Sequence, residues 1–415
     1  MKTYNKNQKH RNSGVEWLRQ IPAQWKIMPL RSIAKENNNK NSNGLCTNLL
    51  SLSYGKIIEK NIESNSGLLP ESFNTYQIVK TGNIVLRLTD LQNDKVSLRV
   101  GYVDTDKPGI ITSAYLALDL AERMNPKYTY FLLHAYDIQK VFYAMGGGVR
   151  QTLDYKNFKY LPILVPDIDL QAEIAKYLEK KINLIDQTIS KKKQLIDLLQ
   201  EKRTSMINIT IRTNIGEKLK IKHCSLVNPS TNYITKNLKD DEIVSFIPME
   251  AISETGELKL QEKTYSAVQS GFTTFRNEDV VLAKITPCYE NGKAGVIRGL
   301  KNNIGFGTTE FIVLRPNQKI IPDYLYYLIY SDSFRRNGEV VMKGSAGQKR
   351  VTKTFVSNYE FYLPDLPNQK KIIETIKNQS NQINRARTIL ENQINLLKEY
   401  RSSLIYHAVT GKIKV

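Results

Sequence analysis

The chain repeats itself at a nearly constant spacing over most of its length. A shift of 196 positions places Val85-Leu86 on Val281-Leu282, Thr112 on Thr308, Pro126 on Pro322 and Tyr128 on Tyr324. Further along, a shift of 198 places Pro166-Asp167 on Pro364-Asp365, Gln171 on Gln369 and Leu198-Leu199 on Leu396-Leu397. A spacing this long far exceeds the period of a solenoid repeat. It predicts a single large unit that occurs twice.

Composition narrows the class of protein. The 415 residues carry 60 Lys and Arg against 40 Asp and Glu, a net charge of +20. Such an excess of positive charge indicates a polyanionic partner, with nucleic acid as the first candidate. A ribosomal or anionic membrane partner would fit the charge as well.

Other features argue against several classes of protein. No stretch is apolar and long enough to predict a membrane-spanning helix, and the polar N-terminus does not resemble a secretory signal. Cysteines and histidines show no metal-ligand spacing, and three distant cysteines are typical of reduced thiols in a cytoplasmic protein. These residues are Cys46, Cys224, Cys288, His10, His134, His223 and His407.

Each repeat begins with a region that is rich in predicted strands. Segments 83–88 and 279–284 are short apolar runs bounded by turn residues, which is typical of buried strands. Pro126 and Pro322 stand where a proline opens a helix, ahead of strongly apolar segments. A glycine-rich loop then follows in both repeats, at 146–148 and 344–347.

Each repeat ends in a predicted long helix with a heptad pattern, which is typical of a coiled coil. The predicted seam consists of Leu178, Ile182, Ile185, Ile189, Ile196, Leu199, Ile383, Leu390, Ile394 and Leu397. Lys192, Arg203, Arg387 and Arg401 interrupt this seam. Because the two helices have the same length and pattern, each is the best partner for the other, and the returning chain makes the pair antiparallel.

The predicted fold class is therefore α+β. Two tandem, pseudo-symmetric α/β domains are separated by two long helices that form an antiparallel coiled coil. The predicted boundaries are 1–165 for the first domain, 166–214 for the central helix, 215–363 for the second domain and 364–415 for the last helix.

This order of elements resembles the specificity subunit of type I restriction-modification enzymes, and the resemblance covers nearly the whole chain. Local patterns add to it: Trp17-Leu-Arg-Gln-Ile-Pro-Ala-Gln-Trp25 is similar to the family's N-terminal stretch, and Gly344-Ser-Ala-Gly-Gln-Lys-Arg350 to its glycine-rich loop. Segments 166–171 and 364–369 resemble the motif that opens the family's helices. Ala172 and Asn368 depart from that motif beside the shared glutamines.

The resemblance implies that each domain is a target-recognition domain reading one half of a bipartite DNA site. It also implies that the helices hold two methyltransferase (modification) subunits and that restriction subunits join the complex. Adenine N6-methylation and ATP-dependent cleavage would then occur in these partners. By the same resemblance, this chain would be non-catalytic, with S-adenosylmethionine, ATP and Mg²⁺ bound by the partner subunits and no cofactor or metal bound by this chain.

DNA contacts are expected where forked or bidentate donors follow strands and glycine-rich loops. The candidates are Arg87, Arg150, Gln151, Lys284, Gln348, Lys349 and Arg350. Each of them is equally compatible with an ordinary surface charge. Different donors on equivalent scaffolds would give two different half-sites.

Three motifs imitate catalytic ones. Segment 125–128 is near the loop of adenine methyltransferases, but lysine stands third, and a helix start explains it better. Asp167 and Glu179 imitate a nuclease core, yet Glu179 lies within a predicted helix and its counterpart is Lys377. The glycines at 146–148 form no nucleotide-binding pattern, and either a turn or a phosphate-approach loop would explain them.

Two further functions stay open at the level of sequence. The chain could be the recognition subunit of a related bifunctional type II system. It could also be a stand-alone tandem DNA-binding scaffold without a methyltransferase partner.

Overall fold

The computed structural model describes residues 9–60, 72–91, 98–145, 152–212, 214–230, 235, 238–345 and 347–415. The chain divides into two units. The first comprises Met1–Lys192 with Glu391–Val415, and the second comprises Lys193–Leu390. Each unit therefore includes a segment of both long helices.

The strands of the first unit are short. They are β1 His10–Asn12, β2 Gln20–Pro22, β3 Lys26–Pro29, β4 Ala34–Glu36, β5 Leu50–Ser53, β6 Lys56–Glu59, β7 Gln77–Val79, β8 Ile84–Leu86, β9 Val100–Tyr102, β10 Gly109–Ile111, β11 Leu116–Leu120 and β12 Pro162–Val165.

The strands of the second unit follow the same order. They are β13 Glu217–Lys220, β14 Ser225–Val227, β15 Ile243–Ile247, β16 Gln261–Thr264, β17 Thr273–Arg276, β18 Val280–Ala283, β19 Ala294–Val296, β20 Ile304–Gly307, β21 Phe311–Pro316 and β22 Glu360–Leu363.

Among the described residues, the helices comprise three short ones in the second unit, two in the first, and two long ones. They are α1 Pro126–Ile138, α2 Tyr155–Phe158, α3 Ile168–Ile211, α4 Pro322–Tyr330, α5 Asp332–Val340, α6 Lys353–Asn358 and α7 Leu366–Val409. Single 3₁₀ turns lie at Leu30–Ser32, Val141–Met145, Ile221–His223, Met249–Ala251, Tyr265–Ala267 and Lys301–Asn303.

The same strand pairings recur in both units. A four-stranded sheet has the order β4-β11-β8-β9 in the first unit and β14-β21-β18-β19 in the second. The pairs β3–β12 and β13–β22 correspond as well. In the second unit, β16-β15-β20-β17 is one sheet, whereas in the first the counterparts β5–β6 and β7–β10 are linked by a single parallel bridge, Leu49 to Ile110.

The main core of each unit lies where this sheet packs on a buried helix. In the first unit, β8 and α1 contribute apolar side chains to one cluster with Ile174, Leu178 and Leu404 of the long helices. In the second, β18 and α4 pack with Ile207, Ile373 and Ile376 in the same way. The long helices therefore belong to the cores and do not merely connect them.

The prolines open α1 and α4 as predicted, because a proline at the first helical position loses no hydrogen bond. Asn125 caps α1 by accepting a hydrogen bond from the amide of Tyr128 at 3.0 Å. Tyr128 itself is fully buried, and its hydroxyl donates to the carbonyls of Leu164 and Val409. The sequence around Asn125 is thus a helix start.

A buried glutamine fixes the start of each long helix in the same way. The Gln171 amide nitrogen donates to the carbonyls of Arg123 and Pro166, and its oxygen accepts from the Asn125 amide. Gln369 makes the equivalent bonds to Lys319, Pro364 and Ile321. Both glutamines are fully buried. The repeat is therefore kept down to individual hydrogen bonds.

An ion pair beside each glutamine is reversed between the units. In the first unit, Lys127 of α1 pairs with Glu179 of α3. In the second, Asp323 of α4 pairs with Lys377 of α7 at 2.8 Å. The positions correspond, and the charges are exchanged.

Within the first unit, the segments of α3 and α7 run antiparallel. Arg401 pairs with Asp186 at 3.2 Å, and Lys192 donates to Gln393 at 2.7 Å, so the positions run in opposite directions. The predicted seam residues of both units are buried or half-buried. The α+β class with two domains and long helices is confirmed.

Two of the basic residues within the predicted seam have partners in the cores. Arg203 is buried and lies over the ring of Tyr330, 5.4 Å from its centre, while donating to the Thr255 carbonyl. Its counterpart Arg401 pairs with Asp186 and lies near Tyr130 and His134 of α1. These arginines tie the long helices to α4 and α1.

Candidate functional site

The predicted donors of the second unit lie together at one edge of its sheet. Lys284 directly follows β18, and its carbonyl accepts the amide of Val351 at 2.8 Å. Ile285 forms a bridge with Arg350. The structure thereby joins the end of β18 to the glycine-rich loop, two features that stand more than 60 positions apart in sequence. We call Lys284, Thr286, Glu310 and residues 347–350 the second-unit edge.

Arg350 and Lys284 share one carboxylate at this edge. The Nε and Nη2 atoms of Arg350 donate to the oxygens of Glu310 at 2.8 to 3.2 Å. Lys284 approaches Glu310 to 4.0 Å and donates to the Thr309 carbonyl at 2.7 Å. The hydrogen bonds from Arg350 lower the pKa of Glu310, with the Lys284 charge adding to the effect. Glu310 therefore stays ionised and holds both cations in place.

Backbone bonds fix the loop that carries the remaining donors. The Thr286 amide donates to the Lys349 carbonyl at 3.0 Å, and the Lys349 amide donates to the Thr286 hydroxyl. That hydroxyl also donates to Gly347. Gln348 and Lys349 are exposed, so their side chains reach solvent from a loop with a defined backbone.

The first unit builds the corresponding edge differently. Arg87 directly follows β8 and is exposed. The buried side chain of Arg99 donates to the carbonyls of Arg87, Thr89 and Asp90 at 2.5 to 3.1 Å, and so shapes the segment after the strand. The predicted Arg150 and Gln151, like the glycines at 146–148, lie outside the described residues.

The two edges correspond in position and differ in chemistry. The Leu153 amide donates to the Leu88 carbonyl just as Val351 donates to Lys284, so Leu88 is the counterpart of Lys284. The repeat spacing also places Ala114 opposite Glu310 and Thr152 opposite Arg350. The charged side chains of Lys284, Glu310 and Arg350 at the second-unit edge thus correspond to the uncharged Leu88, Ala114 and Thr152 in the first unit.

Sequence reasoning missed Glu310, Thr286 and Arg99. Glu310 lies 40 positions from Arg350, and the pairing of β18 with β21 together with the bridge from Ile285 to Arg350 brings the two side by side. Arg99 precedes β9, and its burial depends on carbonyls 9 to 12 positions earlier in the chain. Of the motifs that imitate catalytic ones, the nuclease-like Glu179 pairs with Lys127 of α1. Cys224 is buried, and desolvation raises the pKa of its thiol to about 12.

Among the described residues, no three His, Cys, Asp or Glu side chains are grouped so that they could hold a metal ion. In the same part of the chain, every helix is too short or too polar to cross a membrane.

Known structures share the duplicated fold. A chain of a solved type I R-M system aligns with a TM-score of 0.71 at 13% identity, covering 95% of this chain and 99% of that one. The crystal structure of the HsdS subunit from Thermoanaerobacter tengcongensis aligns with a TM-score of 0.55, also at 13% identity, covering 95% and 98%. At this identity, the likeness concerns the fold.

Sequence comparisons identify similar proteins. Residues 201–396 match the family model of the type I restriction modification DNA specificity domain. The specificity subunit of the type I restriction enzyme EcoAI from Escherichia coli is 46% identical over 137 residues, 32% of this chain and 23% of that protein. The EcoEI specificity subunit from the same organism is 41% identical over 139 residues, 33% and 23%.

The aligned part spans about a quarter of the length of these curated relatives. Family model, relatives and fold agree, and the predicted resemblance to type I specificity subunits is confirmed.

Proposed function

We propose that this chain is the DNA specificity subunit of a type I restriction-modification complex. Each unit reads one half of a bipartite double-stranded site. One observation carries the proposal: two units repeat the same scaffold, down to the hydrogen bonds of Gln171 and Gln369, and yet present different donors at corresponding edges. A duplicated scaffold with divergent edges is suited to reading two different half-sites.

The net charge of +20 supports DNA as the ligand, since phosphate contacts dominate the affinity of such proteins. Exposed donors at both edges support reading of base edges. Arg87 serves this role in the first unit, and Gln348 and Lys349 serve it in the second.

The long helices present apolar side chains to solvent, which supports partner subunits. Leu198 and Leu396 occupy equivalent positions of the two repeats and are 57% and 63% exposed. Leu195 lies one turn before Leu198 and Tyr400 one turn after Leu396, both exposed as well, and contiguous exposed apolar side chains are typical of interaction surfaces. We assign these faces to two modification subunits, with restriction subunits joining the same complex.

In this proposal, the chain performs no chemistry itself. Adenine N6-methylation and ATP-dependent cleavage belong to the partners, which bind S-adenosylmethionine, ATP and Mg²⁺. The complex acts in the cytoplasm, where its DNA substrate lies.

The test is a map of N6-methyladenine across the genome of the source cell, with the gene intact and with the gene deleted. We expect methylation at one two-part motif to disappear on deletion. Re-expression of the gene should restore the same motif. Unchanged methylation in the deletion strain, while the modification subunits are still expressed, would contradict the proposal and favour a stand-alone DNA-binding scaffold.

A further inference from the structure

Arg350 keeps two of its donors available although its side chain is fixed. A guanidinium carries five N–H groups. The Nε–H and one Nη2–H point to Glu310, and one Nη1–H points to the Gln348 carbonyl at 3.3 Å. One N–H on each terminal nitrogen is thus left without a partner among the described residues. With 40% of the side chain exposed, the guanidinium is accessible from solvent.

A pair of parallel N–H donors matches one base in particular. In the major groove, guanine presents O6 and N7 as neighbouring acceptors, and an arginine that bonds to both is the commonest specific contact. The carboxylate of Glu310 uses the lateral edge of the guanidinium and keeps its plane fixed, so the terminal edge is already oriented before DNA arrives. Prior orientation reduces the entropy that a flexible arginine would lose on binding.

The backbone around Arg350 is fixed as well. Its amide donates to the Lys343 carbonyl at 2.8 Å, and its carbonyl accepts the Lys343 amide at 3.0 Å. The bridge to Ile285 holds the other side. The guanidinium therefore has a defined position relative to β18 and to the exposed Gln348 and Lys349.

We propose that Arg350 reads a guanine of the second half-site and that Glu310 is the positioning residue that orients it. This inference rests on the proposed function and deepens it. Because Thr152 and Ala114 stand at the corresponding places of the first unit, the first half-site is read without such a pair.

The experiment uses the full chain in complex with its modification subunits and a library of DNA duplexes. Each position of the second half-site is varied in turn, and the methylation rate is measured for every base. Arg350→Lys keeps the charge but loses the fork. We expect it to lower the preference for guanine at one position by about 10- to 100-fold. Glu310→Gln should lower the same preference by about tenfold, while the preferences of the first half-site stay unchanged.

Glu278→Gln is the matched control. Glu278 binds Arg298 through the same two-pronged geometry at 3.0 and 3.1 Å in the same unit, away from the second-unit edge. Its loss should leave every base preference unchanged. Thermal melting of each variant separates loss of folding from loss of reading, and Arg350→Lys provides a second variant should Glu310→Gln unfold.

Two results would overturn the inference. One is a second half-site in which no guanine depends on Arg350. The other is an equal loss of rate for all four bases in Glu310→Gln, which would show a purely structural role. In both cases the complex would still methylate a two-part DNA motif, so the proposed function would stand. If the wild-type complex methylated no two-part motif at all, the proposed function itself would be refuted.

Discussion

At the scale of single residues, burial determines how strongly a charged side chain affects the stability of the fold. Asp279 is fully buried and binds Arg315 through two hydrogen bonds of 2.8 Å each. Its counterpart in the first unit is Asn83, which donates to Asp119 at 2.7 Å. The same position is thus satisfied by an ion pair in one unit and by an amide in the other. Removing one partner of a buried pair leaves an uncompensated charge.

We expect Asp279→Ala to destabilise the second unit by about 3–5 kcal/mol, since the buried Arg315 would lose both hydrogen bonds to this carboxylate. Denaturant unfolding followed by a probe in that unit measures the change. Glu278→Ala removes the adjacent, 54% exposed carboxylate and should cost under about 1 kcal/mol. Similar losses of unfolding free energy in the two variants would contradict the conclusion that the buried pair of Asp279 and Arg315 stabilises this unit.

His134 makes the first unit sensitive to acid. Desolvation, with the nearby Arg401 charge adding to it, lowers the pKa of His134 to about 4. The folded state therefore keeps the ring neutral, while the unfolded chain takes up a proton near pH 6.5. Stability is unaffected by this group above pH 6.5 and falls as the pH drops from there toward 4, by up to about 1.4 kcal/mol per pH unit.

We expect His134→Gln to remove this part of the pH dependence. Unfolding free energies of the first unit, measured between pH 7 and pH 4, should show a shallower slope in the variant than in the wild type. His407, whose pKa is lowered chiefly by burial, is present in both proteins, so its contribution cancels. Identical slopes would show that His134 does not titrate as described.

At the scale of secondary-structure elements, the start of each long helix depends on one glutamine. Gln171→Leu would leave the Asn125 amide and the carbonyls of Arg123 and Pro166 without their partner in a buried place. We expect a loss of about 2–4 kcal/mol and faster hydrogen exchange in the first turn of α3.

Gln187→Leu is the control for this helix, because Gln187 is exposed on the same α3. It should change neither stability nor exchange by a measurable amount. Slow hydrogen exchange of the Asn125 amide in Gln171→Leu would mean that a group other than Gln171 accepts its hydrogen bond, and would contradict the role of Gln171 at the start of α3.

Elements were more predictable from sequence than their contacts. Pro126 and Pro322 marked helix starts because proline suits the first helical position, and the duplicated pattern marked the long helices. The pairing of Arg350 with Glu310 could not be predicted, because it depends on the register between β18 and β21. The buried place of Arg203 against Tyr330 likewise depends on packing between distant helices. Neither contact leaves a periodic signal.

At the scale of the whole molecule, the units act as modules. Each has its own cores and its own edge, so exchanging one should leave the other intact. We expect replacement of residues 215–363 by the matching domain of a relative to change one half-site only. Methylome mapping of the chimera measures this outcome, with the reciprocal exchange of 1–165 as control. Alteration of both halves would contradict modular reading.

The reversed ion pairs bear on how such chains can recombine. Consider a crossover that exchanges the two domains between their positions but leaves the long helices in place. It would place Lys127 next to Lys377, and Asp323 next to Glu179, so that like charges face each other. A crossover that moves a domain together with its own segment keeps opposite charges facing each other. For exchanges between the two positions of the repeat, viable breakpoints should therefore fall within the long helices, whereas replacement of a domain by its equivalent from a relative with the same charge keeps the ion pair.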